Sequence, residues 1–199
     1  MKTHKIISIT SVTITILIAG VVNMTACGGE QGSSTEEKKQ SSVSFERAKP
    51  PSIDIYTAAL FGDLNAVNQH IKARTDLNKK DAYGSTPLII AATFGKTEVA
   101  KALVEAGADV NITNNDGGTA LHSAAFLCRT EIVQILLDHG ADKNIKNKYG
   151  STALESISGP FENVAGIYDQ FSKDLGPLGL KLDYEHLKTT RPIIAEMLR

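Results

Sequence analysis

The chain has 199 residues, 42% of them apolar, with 21 Lys and Arg against 22 Asp and Glu for a formal charge of -1. That is enough for one folded domain with a core beside a leader, and basic residues scattered among acids exclude a footprint for nucleic-acid phosphates. Two cysteines, Cys27 and Cys128, are too few for a disulfide-built scaffold, and no disulfide is expected.

Lys2 and Lys5 precede an apolar run of 17 residues at 6–22, broken only by small and hydroxyl residues. This has the form of an export leader. It runs into Met24-Thr25-Ala26-Cys27-Gly28, which resembles the lipobox of bacterial lipoproteins, with Met24 where Leu is usual. The resemblance implies a signal peptide over 1–26, cleavage before Cys27, and acylation of that cysteine. The other reading is an uncleaved membrane helix, for which the run stands at the short edge of the ~17–25 residues needed. Two or three acyl chains, each methylene contributing roughly 0.8 kcal/mol, anchor a protein firmly. In the lipoprotein class Gly28, rather than Asp, after the cysteine implies the outer membrane of a Gram-negative envelope, facing the periplasm. Loss of the leader's two lysines would leave 19 basic and 22 acidic residues.

Residues 27–51 follow as a polar segment rich in Gly, Ser, Glu and Lys, without hydrophobic periodicity. Such a composition predicts a flexible tether.

From residue 52 a step of 33 governs the chain. Thr86, Thr119 and Thr152 keep it, as do Asn78, Asn111 and Asn144, the pairs Ala58-Ala59, Ala91-Ala92 and Ala124-Ala125, and Gly107-Ala108-Asp109 with Gly140-Ala141-Asp142. Thr86 and Thr119 are suited to cap a first helix, with Pro87 where a missing N–H costs nothing. Paired alanines allow close helix approach, amphipathic stretches at 97–106 and 130–139 form second helices, and Gly107 and Gly140 end them at positive φ. With Gly84-Ser85-Thr86-Pro87-Leu88 and Gly118-Thr119-Ala120-Leu121-His122 in phase, the segment resembles the ankyrin repeat. The resemblance implies an all-α solenoid of about four helix-turn-helix repeats with hairpin-like loops, near 52–80, 81–113, 114–146 and 147–199. The first lacks the Thr-Pro-Leu start and reads as an N-terminal cap.

The fourth repeat starts normally at Tyr149-Gly150-Ser151-Thr152, then departs, because the pair Ile132-Val133 finds its counterpart only at Ile193-Ile194, 61 residues on. An insertion of about 28 residues, near 159–188, is expected. Within it Phe161, Val164, Tyr168, Phe171 and Leu175 share a helical face before Gly176-Pro177. That face either covers the end of the stack or forms a second docking surface.

No nucleophile, metal or phosphate arrangement stands out, so no enzyme, cofactor or small-molecule substrate is expected. In the family pattern His122 ties the repeat down by hydrogen bonds. His139 reads as a helix cap, His70 has no evident partner, and Asp183, Glu185 and His186 lack metal-ligand spacing. Cys128 stands where earlier repeats have Gly62 and Gly95; retaining the turn would cost roughly 1–2 kcal/mol for positive φ, unless the side chain packs usefully. It reads as a packed thiol or as a redox sensor.

The resemblance implies binding of another protein through the concave face. The two positions after each alanine pair, Leu60-Phe61, Thr93-Phe94 and Phe126-Leu127, are large and apolar in five of six cases, an expected exposed stripe and docking patch. Tyr83, Asp116, Lys148 and Tyr149 near the hairpin tips would form its rim. The expectation is a lipid-tethered binding module, acting as inhibitor or immunity protein of a secreted enzyme. The alternatives are an accessory factor for an exported enzyme such as an oxidative-stress protein, a structural envelope protein, or a hydrolase with its site in the insertion.

Overall fold

The computed structural model describes residues 49–199. The leader at 1–26, Cys27 and nearly all of the tether lie outside the described residues. Among those described there are only helices, turns and loops, and no helix is long and apolar enough to cross a membrane.

Three complete helix pairs come first: α1 (Ile55–Phe61) with α2 (Leu64–Lys72), α3 (Pro87–Thr93) with α4 (Thr97–Glu105), and α5 (Ala120–Phe126) with α6 (Thr130–Asp138). A short α7 (Ala153–Ile157) starts the fourth, α8 (Ala165–Leu175) lies in the insertion, and α9 (Tyr184–Leu198) ends the chain. Packing sorts them into two layers. First helices α1, α3, α5 and α7 stack in sequence, and second helices α2, α4, α6 and α9 stack behind them. The alanine pairs are fully buried between first helices, because no larger side chain would fit at that spacing.

Local chemistry repeats with the period. The hydroxyls of Thr86, Thr119 and Thr152 accept the amide of the third residue of α3, α5 and α7, and Pro87 occupies the first helical position of α3. Asp54 caps α1 instead, accepting from the amides of Tyr56 and Thr57 at 3.0 Å each. Between repeats, Asn78 Oδ1 accepts from Asp109 N–H at 2.9 Å and Asn111 Oδ1 from Asp142 N–H at 2.8 Å. These bonds staple the first repeat to the second and the second to the third, and they explain the spacing of Asn78 and Asn111; Asn144 bonds within its own repeat, its Nδ2 donating to Asp142 Oδ1 at 3.0 Å.

His122 joins two repeats. Thr119 N–H donates to its Nδ1 at 3.2 Å, which leaves the ring proton on Nε2 to meet the Ser151 carbonyl at 3.1 Å. His70, expected to lack partners, is buried, with Nε2 2.8 Å from the Ile53 carbonyl and Nδ1 3.1 Å from Thr75 Oγ1. It fastens the segment leading into α1, a contact 17 residues distant in sequence that no local pattern reveals. His139 caps α6, its Nδ1 2.8 Å from the Ile135 carbonyl.

Cys128 keeps the left-handed turn, with φ 55° beside 78° at Gly62 and 65° at Gly95. Its side chain is buried, and Sγ lies 3.7 Å from the Leu187 carbonyl of α9. Burial pushes the thiol up to about 11, the opposite of what a reactive thiolate needs. Burial and the Leu187 contact fit the reading of a packed thiol.

The fourth repeat differs from expectation in register. Ile193 is 57% exposed, and the buried pair is Ile194-Ala195, so the counterpart of Ile132-Val133 stands 62 residues on. Two adjacent isoleucines look alike in a pattern, and only the helical face decides between them. The helix also begins within the expected insertion, at Tyr184, capped by Asp183 through the amides of Glu185 and His186. α9 packs on α5, α6 and α7 and so closes the stack.

Burial holds the His122 imidazole below its ordinary 6.5, so the folded chain takes up this proton less readily than the unfolded one. Stability contributed by the neutral ring is complete above 6.5 and is lost as pH falls from there toward the lowered value. Urea midpoints measured from about pH 7.5 to about pH 5 should fall across that window, and His122→Gln should reduce the slope; an unchanged slope would remove His122 as its source.

Candidate protein-binding surface

The hairpin tips are built alike. Residues 81–85, 114–118 and 147–151 each close by a backbone bond from the first residue's N–H to the fifth residue's carbonyl, at 2.9, 2.9 and 3.0 Å. The side-chain oxygen of the first residue, Asp81, Asn114 or Asn147, accepts from the third and fifth amides at 2.7–3.1 Å. The loop recurs with the 33-residue step, but the change from Asp81 to Asn114 and Asn147 hides it from a search for identical residues. Glycine at its fourth position takes φ 73–77°, and a Cβ on Gly84 would meet Asn115 N at 2.7 Å. Only glycine lets neighbouring tips approach this closely.

The tips bond to one another. Asn115 N–H donates to the Tyr83 carbonyl at 3.1 Å and Lys148 N–H to the Asp116 carbonyl at 2.8 Å. The Lys148 ammonium also pairs with the Asp116 carboxylate and stands 5.2 Å over the Tyr149 ring. Tyr83, Asp116, Lys148 and Tyr149 thus form one rim, all exposed, and Tyr83 and Tyr149 are 47% and 60% exposed.

The apolar stripe is interrupted. Phe61 is 63% exposed, while Leu60 and Phe94 are half-buried. Leu127, expected in the stripe, is 1% exposed and belongs to the core. Phe126 is half-buried and already occupied: the Tyr168 ring stacks on it at 4.6 Å and Phe171 meets it edge-on at 5.8 Å. The insertion has folded back over the third repeat. Sequence periodicity places positions on faces but does not show which faces a distant helix covers.

What holds the insertion there is also defined. Tyr168 is fully buried; its hydroxyl donates to the Phe126 carbonyl at 2.6 Å and accepts from Arg191 at 3.0 Å. Arg191 donates further to the carbonyls of Ile157 and Gly159 at 2.9 and 3.0 Å. Burial pushes the Tyr168 phenol up to about 12, despite the Arg191 guanidinium pulling it down. Phe161 stacks on the other side of Tyr168 at 5.4 Å, and Tyr184 closes the cluster edge-on. Sequence reading found the aromatic face but missed Arg191, because a lone arginine in a helix carries no pattern.

The chemistry of the surface is therefore apolar contact and polar rim. Among the described residues no group of His, Cys, Asp or Glu is placed to hold a metal ion. Residues 55–147 match the family described as ankyrin repeats, in three copies, and no curated protein matches the chain. The fold is an all-α ankyrin solenoid, and ankyrin repeats characteristically serve as protein-binding scaffolds rather than as enzymes.

Phe61→Ala should change stability by no more than about 0.5 kcal/mol, as at other exposed sites. Phe126→Ala should cost about 2 kcal/mol or more, since it removes both a packed ring and its aromatic partners. Urea unfolding of the two variants checks the contrast, and equal midpoints would contradict it.

Proposed function

We propose that this chain is a lipid-anchored, periplasm-facing protein-binding module that holds its partner on the first-helix side of repeats one and two and along the adjoining hairpin tips. The observation that carries the reading is the exposure of Phe61 and Tyr83, 63% and 47%, on a scaffold of repeats characteristically used for binding proteins. Exposed aromatic side chains beside a polar rim supply large contact area with few degrees of freedom to freeze, which is the composition of binding hot spots. Half-buried Leu60 and Phe94 add apolar surface on the first-helix side, and Asp116, Lys148 and Tyr149 continue the rim; Leu127, in the core, and Phe126, under Tyr168, are not assigned to the contact.

A module of this kind acts by occupying its partner's surface. That fits an inhibitor or immunity protein for a secreted enzyme, kept in the compartment where the enzyme would do harm. The support for anchoring is Lys2 and Lys5, the apolar run at 6–22, and Met24-Thr25-Ala26 before Cys27; Gly28 after the cysteine favours the outer membrane.

Affinity purification of the tagged chain from envelope extract should recover one enriched partner. Phe61→Ala with Tyr83→Ala should weaken that binding by more than about 2 kcal/mol, the scale of hot spots, with the circular dichroism spectrum unchanged. Full-strength binding by a folded double variant would move the interface elsewhere. For the anchor, intact-mass measurement of detergent-extracted protein should find a chain starting at an acylated Cys27, and an unmodified chain starting at Met1 would refute it.

A further inference from the structure

Arg191 is 4% exposed, and all its hydrogen-bond partners are neutral oxygens: the Tyr168 hydroxyl and the Ile157 and Gly159 carbonyls. No carboxylate among the described residues lies within ion-pair distance of it. A buried cation is costly unless opposite charge compensates it, and here the last carbonyls around the end of α7 supply only partial negative charge. Arg191 also lines a cleft of about 290 Å³, close to the lower bound of small-ligand sites, together with Ile157 and Gly159, whose carbonyls it holds.

The cleft wall gathers two more cations, Lys188 and Arg199, and no carboxylate side chain. Each does have an acid of its own: Lys188 pairs with Glu185 at 2.8 Å, and Arg199 pairs with Glu196. Glu162 also acts on Lys188 through space. Those three carboxylates do not line the cleft, and all are exposed, so solvent screens them while Arg191 is shielded from water. Phe161, with the Lys188 ammonium 5.4 Å over its ring, and Pro192 add apolar wall.

We infer that the cleft between the end of α7 and α9 binds a small oxyanion, the phosphate or carboxylate group of a ligand, held by Arg191, Lys188 and Arg199. Guanidinium groups present parallel donors that match such oxygens, and a neighbouring apolar wall suits a ligand that carries the anion on a small organic body. The inference is independent of what docks on the first-helix side.

The test uses the full chain in three media of equal ionic strength, containing inorganic phosphate, acetate or chloride. Phosphate or acetate should raise the melting temperature along a saturable, single-site curve that chloride does not reproduce. Response to phosphate alone assigns a phosphoryl ligand, and response to acetate alone assigns a carboxylate. Lys188→Gln with Arg199→Gln changes two exposed side chains and should melt as the parent does in chloride, but weaken the anion's binding by about tenfold or more. Backbone amide shifts of Gly159 and Arg191 followed by nuclear magnetic resonance provide a readout that does not depend on melting. Responses no greater than those to chloride, or equal binding by the double variant, would overturn the inference.

Discussion

Each helix pair in this stack has an apolar face on both sides and cannot bury either alone. Stability is therefore a matter of neighbours, and every residue that lets repeats approach at constant spacing matters more than its size suggests. The buried alanine pairs set that spacing. The asparagine staples, Asn78 to Asp109 and Asn111 to Asp142, hold it on the loop side, and His122 holds it at the helix start by reaching Ser151 in the next repeat. A stack built this way has two ends, and each must be finished by something that is not another repeat.

The ends are finished differently. At the first repeat the finish is small: Asp54 caps α1 and buried His70 ties the Ile53 carbonyl to Thr75. At the last, α9 supplies the missing second helix and runs on upstream, and the insertion folds across the aromatic cluster. Cys128 belongs to that arrangement. At Gly62 and Gly95 an added Cβ would meet the side chains of Lys96 and Arg129, at 3.0 and 2.9 Å. At Cys128 the space next door is filled from α9 by Leu187 instead. The side chain thus gains buried contacts that offset the strain of positive φ, roughly 1–2 kcal/mol.

Much of this was legible in the sequence because the responsible interactions are local or strictly periodic. Threonine caps, Pro87 at a helix start and glycines in left-handed turns declare themselves within a few residues, and a 33-residue step declares the stack. Long-range single contacts do not. Nothing near His70 points to Ile53, nothing near Arg191 points to Gly159, and the choice between Ile193 and Ile194 needed the helix face itself. The candidate surface shows the same division. Phe61, Tyr83 and Tyr149 are exposed as their phase implied, whereas Leu127 belongs to the core and Phe126 is covered by chain that lies later in the sequence.

That removal changes what kind of binding surface this is. An uninterrupted groove would offer the same apolar floor at every repeat, and a partner could slide along it in several registers. Here the floor is open at Phe61, half-open at Phe94 and closed at Leu127, with Tyr168 seated on Phe126. The protein's own insertion takes the place that a partner's aromatic side chain would take. A partner docking on the open part, as proposed, would meet a wall at the third repeat, where α8 is fastened by the Tyr168 bond to the Phe126 carbonyl. If the proposed surface is the one a partner uses, the insertion would favour one register by exclusion, and selectivity would then arise as much from what the insertion blocks as from what the exposed rings attract.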